Sequence, residues 1–288
     1  MCMKPVVWVL IALMAFAANS ILNRLALLET AIDPISFTVV RIISGALVLG
    51  MIVLIRARWL QTRARSVPAG RGSVVSALAL LAYAVLFSLA YVSLTAATGA
   101  LLLFGSVQIS MVSWTLMQGE RMSGLAWAGF GLALTGLIWL LLPGLTAPPL
   151  IPAILMIGAG VAWAIYTLRA KAGGDPTAAT AGNFIIASVP ALLLGVIFFG
   201  QARWDSSGIA LAMASGALAS GLGYVIWYFA LTLIQTRTAA VAQLQVPVIT
   251  ALAGVVVLAE PLSLRVLIAG GIILGGILLV IAPWRRTR

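Results

Sequence analysis

The 288-residue sequence has no histidine, one cysteine and only six acidic residues. Without histidine it can build neither a His-based catalytic triad nor a haem site ligated by imidazole. Cys2 alone excludes a disulfide framework and, with no histidine, a Cys/His zinc site. Charge of either sign is scarce. Asp, Glu, Lys and Arg make up 8% of the residues, against roughly 25% in an ordinary globular domain. Hydrophobic types reach 63%, and the mean hydropathy is +1.17. So few charges cannot cover the surface of a soluble globule of this size, so most side chains must face lipid or each other. The net charge of +11 would suggest nucleic acid in a soluble protein. Here the arginines stand between apolar runs, so they report membrane topology. The expected partners are the lipid bilayer and a small solute, with no nucleic acid, no metal and no cofactor.

A bilayer core requires about 20 apolar residues of helix. Runs between charges and turn residues give ten such segments, near 6–28, 34–55, 74–93, 96–118, 124–142, 151–170, 178–199, 208–232, 237–258 and 263–282. If the N-terminus is cytoplasmic, the inside loops and tails hold Lys4, Arg56, Arg58, Arg63, Arg65, Arg71, Arg121, Arg169, Lys171, Arg237, Arg285, Arg286 and Arg288. The outside loops hold Arg203 and Arg265, while Arg24 and Arg41 lie within spans. This bias predicts N-in, C-in and an even span count. The first segment, with Lys4, the apolar run to Met14 and Ala15-Phe16-Ala17, also has the pattern of a signal peptide. Its removal would leave an odd count at odds with the basic C-terminus, so the first helix is expected to be retained.

The second half repeats the first. A gapless shift of 140 residues places Phe87 on Trp227, Thr98 on Thr238, Glu120 on Glu260, Ser123 on Ser263, Gly131 on Gly271, Gly136 on Gly276 and Pro143 on Pro283. A shift of 142 aligns Asp33-Pro34 with Asp175-Pro176. Each unit carries five spans, and an odd number requires the second to enter the membrane with opposite orientation. Inverted repeats are a signature of secondary transporters. The predicted fold class is an all-α membrane protein of ten transmembrane helices, built from two inverted five-helix repeats at 6–142 and 151–282.

With a Glu closing each fourth span (Gln118-Gly119-Glu120 and Leu258-Ala259-Glu260-Pro261) and an acidic-Pro pair before an apolar run, the chain resembles the drug/metabolite transporter superfamily, EamA type. Arg41 resembles that family's second-helix arginine, whereas its counterpart is Asn183. Overall similarity is greatest to the YddG-type exporters of aromatic amino acids. The resemblance implies a secondary transporter exporting amino acids, aromatic and other neutral ones, across the bacterial inner membrane, with broad specificity and a monomeric chain as expectations. Export direction comes from the resemblance alone.

In such a fold the solute site lies near the midplane. Asn19 and Asn23 follow Phe16 on one face of the first span, and an amide in hydrocarbon must face protein or water. Their alternative role is hydrogen bonding between helices, worth about 0.6 kcal/mol each. Tyr83, Phe87 and Tyr91 form a stripe in the third span, Trp163 and Tyr166 a pair in the sixth, and Tyr224, Trp227 and Tyr228 a group in the eighth. Such rings either wall a pocket or simply pack. Trp8, Trp114, Trp127, Trp139 and Trp284 are assigned to the interfacial belt. Ser106, Ser110 and Ser113 share a face of the fourth span, with Gln108 on another. Gln243 and Gln245 flank Pro247, whose ring predicts a kink or hinge. The substrate-binding candidates are therefore Asn19, Asn23, Tyr83, Phe87, Ser106, Ser110, Trp163, Tyr166, Trp227, Gln243 and Gln245. Gly271-xxx-Gly275 and the row Ala212, Gly216, Ser220 predict close helix approaches. Arg24 and Arg41 are expected to snorkel to Glu29 or Asp33, with a carboxylate clamp as the other reading.

All six acids (Glu29, Asp33, Glu120, Asp175, Asp205 and Glu260) fall at predicted helix ends or loops. A proton relay would place one in mid-membrane, so facilitative transport is expected, with proton-coupled export of drugs or other metabolites as the alternative. An intramembrane enzyme is disfavoured because no His base exists and no two acids can meet within the membrane. A channel is disfavoured because channels commonly repeat a filter motif around several chains.

Overall fold

The computed structural model describes residues 5–61, 72–119, 122–144, 147–169, 175–234 and 236–281, and among these the regular structure is entirely helical. Lys4, Arg63, Arg65, Arg71, Glu120, Arg121, Lys171, Pro283, Trp284, Arg285, Arg286 and Arg288 lie outside the described residues, as does the side chain of Arg237. Ten helices are long and apolar enough to cross a membrane: α1 (Pro5–Glu29), α2 (Pro34–Trp59), α3 (Val74–Tyr91), α4 (Ala96–Met117), α5 (Gly124–Leu141), α6 (Leu150–Arg169), α7 (Pro176–Ile197), α8 (Ser206–Leu231), α9 (Val241–Leu258) and α10 (Leu264–Ile281). They coincide with the predicted segments to within a few residues. Loops alternate between the side of the N-terminus, here the near side, and the far side.

Helix starts are set by short polar side chains that accept from otherwise unpaired amides. Asp33 Oδ1 accepts from the amides of Ile35 and Ser36, and Asp175 Oδ1 from those of Thr177 and Ala178. In each case the following proline occupies the first helical turn, where its missing N–H is not needed. The repeated Asp-Pro pair is thus one capping device used twice. Ser73, Thr95, Ser123 and Asp205 cap α3, α4, α5 and α8 in the same way. Two helices end on a positive φ, Gly119 at 83° after α4 and Ala259 at 50° after α9. These positions are 140 residues apart, the same spacing as the sequence repeat, and each directly precedes a glutamate.

Two helices depart from regular α geometry. The ninth helix breaks at Leu244, inside α9, which separates Thr236–Gln243 from Gln245–Leu258. Pro247 lies in the first turn of the second segment, where it displaces no intrahelical donor. Within α8, residues Ala214–Leu222 form a π-helix.

Small residues set the closest crossings, as expected in a membrane. A Cβ on Gly216 would lie 2.1 Å from the Arg41 carbonyl oxygen, so α2 and α8 touch backbone to backbone. At the α5–α10 crossing, Gly129 and Gly276 would each place a Cβ 2.6 Å from the other's carbonyl oxygen. Gly271 and Gly275, expected to form such a contact, face open space because the helix turns its Gly276 edge toward α5. The packing map has a regular pattern. Helices α2 and α7, α4 and α9, and α5 and α10 pack pairwise, while α3 packs on α6 as α8 packs on α1, and α4 on α6 as α9 on α1. Leu47, Met51, Leu54, Val189, Leu193, Val256 and Leu264 are exposed. They form part of an apolar exterior suited to lipid.

Candidate solute cavity

A small cavity lies in the middle of the helix bundle, lined by Phe16, Asn19 and Ser20 of α1, Tyr83 and Phe87 of α3, Leu103 and Phe104 of α4, Trp163 of α6, Tyr224 of α8, and Gln243. Its volume is about 30 Å³, room for a few waters at most, so a solute needs the surrounding side chains to move apart. The lining is amide, hydroxyl and aromatic, and among the described residues that form it there is no carboxylate.

The polar wall depends on the π-helix. Asn19 Oδ1 accepts from both Ser215 Oγ, at 2.8 Å, and Ser220 Oγ, at 3.3 Å. Residues five apart point well away from each other on an α-helix, whereas a π-helix closes its turn by i→i+5 bonds. The local widening of α8 therefore brings both hydroxyls to one oxygen. With Oδ1 occupied, the NH₂ of Asn19 is what this side chain can offer the cavity. Asn23 lies one turn further along α1 and is fully buried outside the cavity lining: its Nδ2 donates to Ser88 Oγ at 2.9 Å, Thr38 donates to the same oxygen, and its Oδ1 has no partner among the described residues.

The aromatic wall is continuous. Tyr83 lies against Phe87 and Trp163, with ring centroids 5.2 and 4.8 Å away. Trp163 stacks on Tyr166 and leans on Tyr224, and Phe16 meets Tyr224 and Trp227 edge-on. Behind this wall sits Arg41, 2% exposed, with its guanidinium carbon 5.2 Å from the Tyr83 centroid and 5.3 Å from that of Phe87. Its Nη2 donates to Tyr83 Oη at 3.1 Å, while its Nη1 has no partner among the described residues. Arg41 does not snorkel. Its position faces the bundle interior, and the α2–α8 contact at Gly216 holds its backbone there.

The two sides of the cavity differ. On the far side, Arg24 Nε donates to Glu260 Oε1 at 2.8 Å and Nη1 to the carbonyls of Tyr91 and Val92, while Glu260 Oε2 accepts from the amide of Ala96. This cluster ties α1, α3, α4 and the α9–α10 loop together. Arg24 therefore pairs across the molecule with Glu260, rather than with Glu29 or Asp33 nearby in sequence. On the near side a crevice of about 830 Å³ is lined by Trp8, Arg56, Asp175, Thr177, Tyr228 and Phe229, among others. Arg56 Nη2 and Asp175 Oδ2 pair there at 2.8 Å. A chain of hydroxyls, Tyr166 to Thr180 to Tyr228, links α6, α7 and α8 beside this crevice.

The structure thus brings Asn19, Tyr83, Phe87, Trp163 and Gln243 to one cavity, with Trp227 and Tyr166 packed against its rings. It places the other candidates elsewhere. Ser106 bonds back to the Leu102 carbonyl at the α4–α6 crossing, where a Cβ on Gly160 would lie 2.6 Å from its own Cβ. Ser110 is half-buried and does not line the cavity. Gln245 is exposed and lines a crevice with Leu274 and Gly275 of α10. Phe16, Ser20, Leu103, Phe104 and Tyr224 complete the lining without having been singled out as ligands. Phe16 stands on the Asn19 face of the first span and Tyr224 in the eighth-span aromatic group. The other three are ordinary residues of apolar helices, with no signal in the sequence.

The chain matches the EamA-like transporter family twice, over residues 3–142 and 150–282. It is 51% identical to an uncharacterized protein of Pseudomonas aeruginosa, over 95% of this chain and 93% of that one. It is 35% identical to the threonine/homoserine exporter RhtA of Escherichia coli, a match spanning half of each protein. A solved crystal structure superposes with a TM-score of 0.63 over 95% of this chain and 96% of that one, at 18% identity, which establishes a shared fold. With ten apolar helices around a small central cavity of amide, hydroxyl and aromatic lining, this is a multi-pass membrane protein that transports a small molecule, and its bacterial relatives point to the inner membrane. It belongs to the EamA-like transporter family of the drug/metabolite transporter superfamily.

Proposed function

We propose that the protein exports amino acids, aromatic and other neutral ones, by facilitative alternating access. The observation that carries this reading is the cavity itself. Its lining combines two amides (Asn19, Gln243) with aromatic rings (Tyr83, Phe87, Trp163, Tyr224), and among the described residues that form it there is no carboxylate. Amides and a hydroxyl suit the polar end of a zwitterion, and rings tolerate many apolar side chains. A dedicated organic-cation site would instead call for a buried acid. The partial match to a threonine/homoserine exporter agrees with the amino-acid class and extends it toward small polar side chains.

The two matched segments act as inverted repeats, N-in and C-in, in a monomeric chain. Three observations support the inverted repeat: the α2–α7, α4–α9 and α5–α10 pairings, the exchange-related contacts of α3–α6 with α8–α1, and the paired positive-φ ends 140 residues apart, while the orientation rests on the bias of basic residues among the loops. The near side then faces the cytoplasm. The far side is latched by Arg24 and Glu260, and the break at Leu244 before Pro247 is the hinge. Ser106, Ser110 and Gln245 remain proposed contacts for another conformation of the cycle.

Uptake of labelled amino acids into proteoliposomes, with and without an imposed pH gradient, tests the reading. Saturable counterflow indifferent to the gradient is expected. Absence of any amino-acid transport overturns the substrate class. One observation favours proton coupling as a second mechanism: Glu260, with 10% of its side chain exposed, is an acid whose pairing must change if the far side opens. Gradient-driven accumulation that is lost in Glu260→Gln would establish it.

A further inference from the structure

We propose that the Arg41 guanidinium is the docking group for the carboxylate of the transported solute, with Tyr83 and Phe87 as an aromatic screen that the solute parts to reach it. The inference rests on the amino-acid reading above and adds to it the residue that recognises the acid function.

Arginine carries five N–H donors and stays charged in any protein environment. Burying it without an anion is expensive, and the usual remedy is a paired carboxylate. Arg41 has no such pair among the described residues. Among the described residues the ion pairs are Arg24 with Glu260 and Arg56 with Asp175, at opposite ends of the bundle. Among the described residues the side-chain acceptor of Arg41 is the neutral Tyr83 hydroxyl, its Nη1 is unsatisfied, and two ring faces provide the remaining stabilisation. Both of those rings line the cavity. The unpaired donor thus lies one aromatic side chain behind the wall of a site that itself contains no charge.

A fork of parallel donors matches a carboxylate bidentately. In this conformation Tyr83 Oη occupies one prong. A solute carboxylate supplies what the chain lacks, a negative charge with two acceptor oxygens, and gains the charge-assisted bonds that a neutral phenol cannot make. The solute's side chain then meets the rings displaced by its head, while Asn19 and Gln243 face its remaining polar groups.

The test compares acids with their uncharged analogues in proteoliposomes of the full chain. L-threonine and L-phenylalanine, each with its carboxamide, compete for counterflow in the wild type, Arg41→Gln, Arg41→Lys and Tyr83→Phe. The wild type is expected to prefer acid over amide by about tenfold or more, the scale of a charge-assisted bond. Arg41→Gln is expected to raise KM for the acid by a similar factor, leave kcat less affected, and bring the acid-to-amide ratio near one. Tyr83→Phe keeps the ring and frees the prong, so it retains the acid preference; a purely structural Arg41–Tyr83 contact would make it weaken acid and amide alike. A wild type indifferent to the carboxylate, or an Arg41→Gln protein that keeps the preference, overturns the proposal. Should Arg41→Gln not fold, the wild-type comparison and Arg41→Lys, which keeps the charge but not the fork, decide it. If amino acids are transported without acid preference, Arg41 falls and the amino-acid reading stands. If amino acids are not recognised but 3-phenylpropanoate binds in an Arg41-dependent way, the amino-acid reading falls and the docking group stands.

Discussion

Arg24 and Glu260 lie 236 positions apart in the chain, yet join at 2.8 Å between Nε and Oε1. Each side chain is about one-tenth exposed. The bond closes the far side of the cavity with the help of two backbone carbonyls and one backbone amide. Removing one partner strands the other charge. Glu260→Leu and Arg24→Met are each expected to destabilise the protein by on the order of 3 kcal/mol, and the double variant by less than their sum. Thermal unfolding in nanodiscs reads this cycle, and additive losses would show that the pair does not couple.

Ala259 turns the chain toward Glu260 with a φ of 50°. A Cβ in the left-handed region costs about 1 kcal/mol, and glycine avoids that cost. Ala259→Gly is therefore expected to raise the unfolding temperature slightly without loss of transport. A lower temperature would show that the Ala259 methyl contributes packing that outweighs the strain.

The α2–α8 crossing leaves no room at Gly216. Gly216→Ala puts a methyl 2.1 Å from the Arg41 carbonyl oxygen, so a loss of about 2 kcal/mol or more is expected, with transport impaired because Arg41 moves. Gly275→Ala meets open space and should stay within about 0.5 kcal/mol of the parent. Equal effects of the two changes would contradict the packing described for these helices.

Gln243 and Gln245 are two residues apart on opposite sides of the Leu244 break. Gln243 lines the cavity and Gln245 an outer crevice. Gln243→Ala is expected to raise KM by about two- to tenfold, the scale of one lost hydrogen bond, whereas Gln245→Ala leaves transport kinetics near those of the parent. The reverse order would move the solute path to the α9–α10 side.

Asp33 caps α2 from the far-side loop. Its partial burial opposes ionisation, but hydrogen bonds from Ser36 and from the amides of Arg203, Ser36 and Ile35 outweigh this and hold its carboxyl below the ordinary value of 3.8. A group whose pKa is lower when folded stabilises the fold above its unfolded value, and that contribution drains away as the pH falls through the folded value. Asp33→Ala should cost about 1 kcal/mol at neutral pH, with the gap from wild type narrowing below about pH 4. A pH series of unfolding temperatures for the two proteins checks this, and a gap constant down to pH 3 would count against it.

Much of the architecture is legible in the linear chain because it follows from local rules. Near-absent charge and apolar runs of bilayer length define ten helices, and Asp-Pro pairs mark where two of them begin. Repeated residues at fixed spacing point to two related halves, and the lack of histidine and of useful cysteine removes most catalytic chemistry. The aromatic stripes and Asn19 were visible for the same reason, since polar and bulky residues inside a span have few places to go. What tertiary structure alone decided is which of these side chains meet. Whether Ser20 of α1 or Ser106 of α4 faces the cavity depends on how each helix is rotated in the bundle, and polar residues on more than one face leave that rotation open. The two hydroxyls on Asn19 require a π-helix with no signature in the sequence. Arg24 and Arg41 looked alike, each a cation within a span near an acid. Long-range packing separated them, giving Arg24 a carboxylate from the other half of the chain and leaving Arg41 buried behind two rings with none among the described residues.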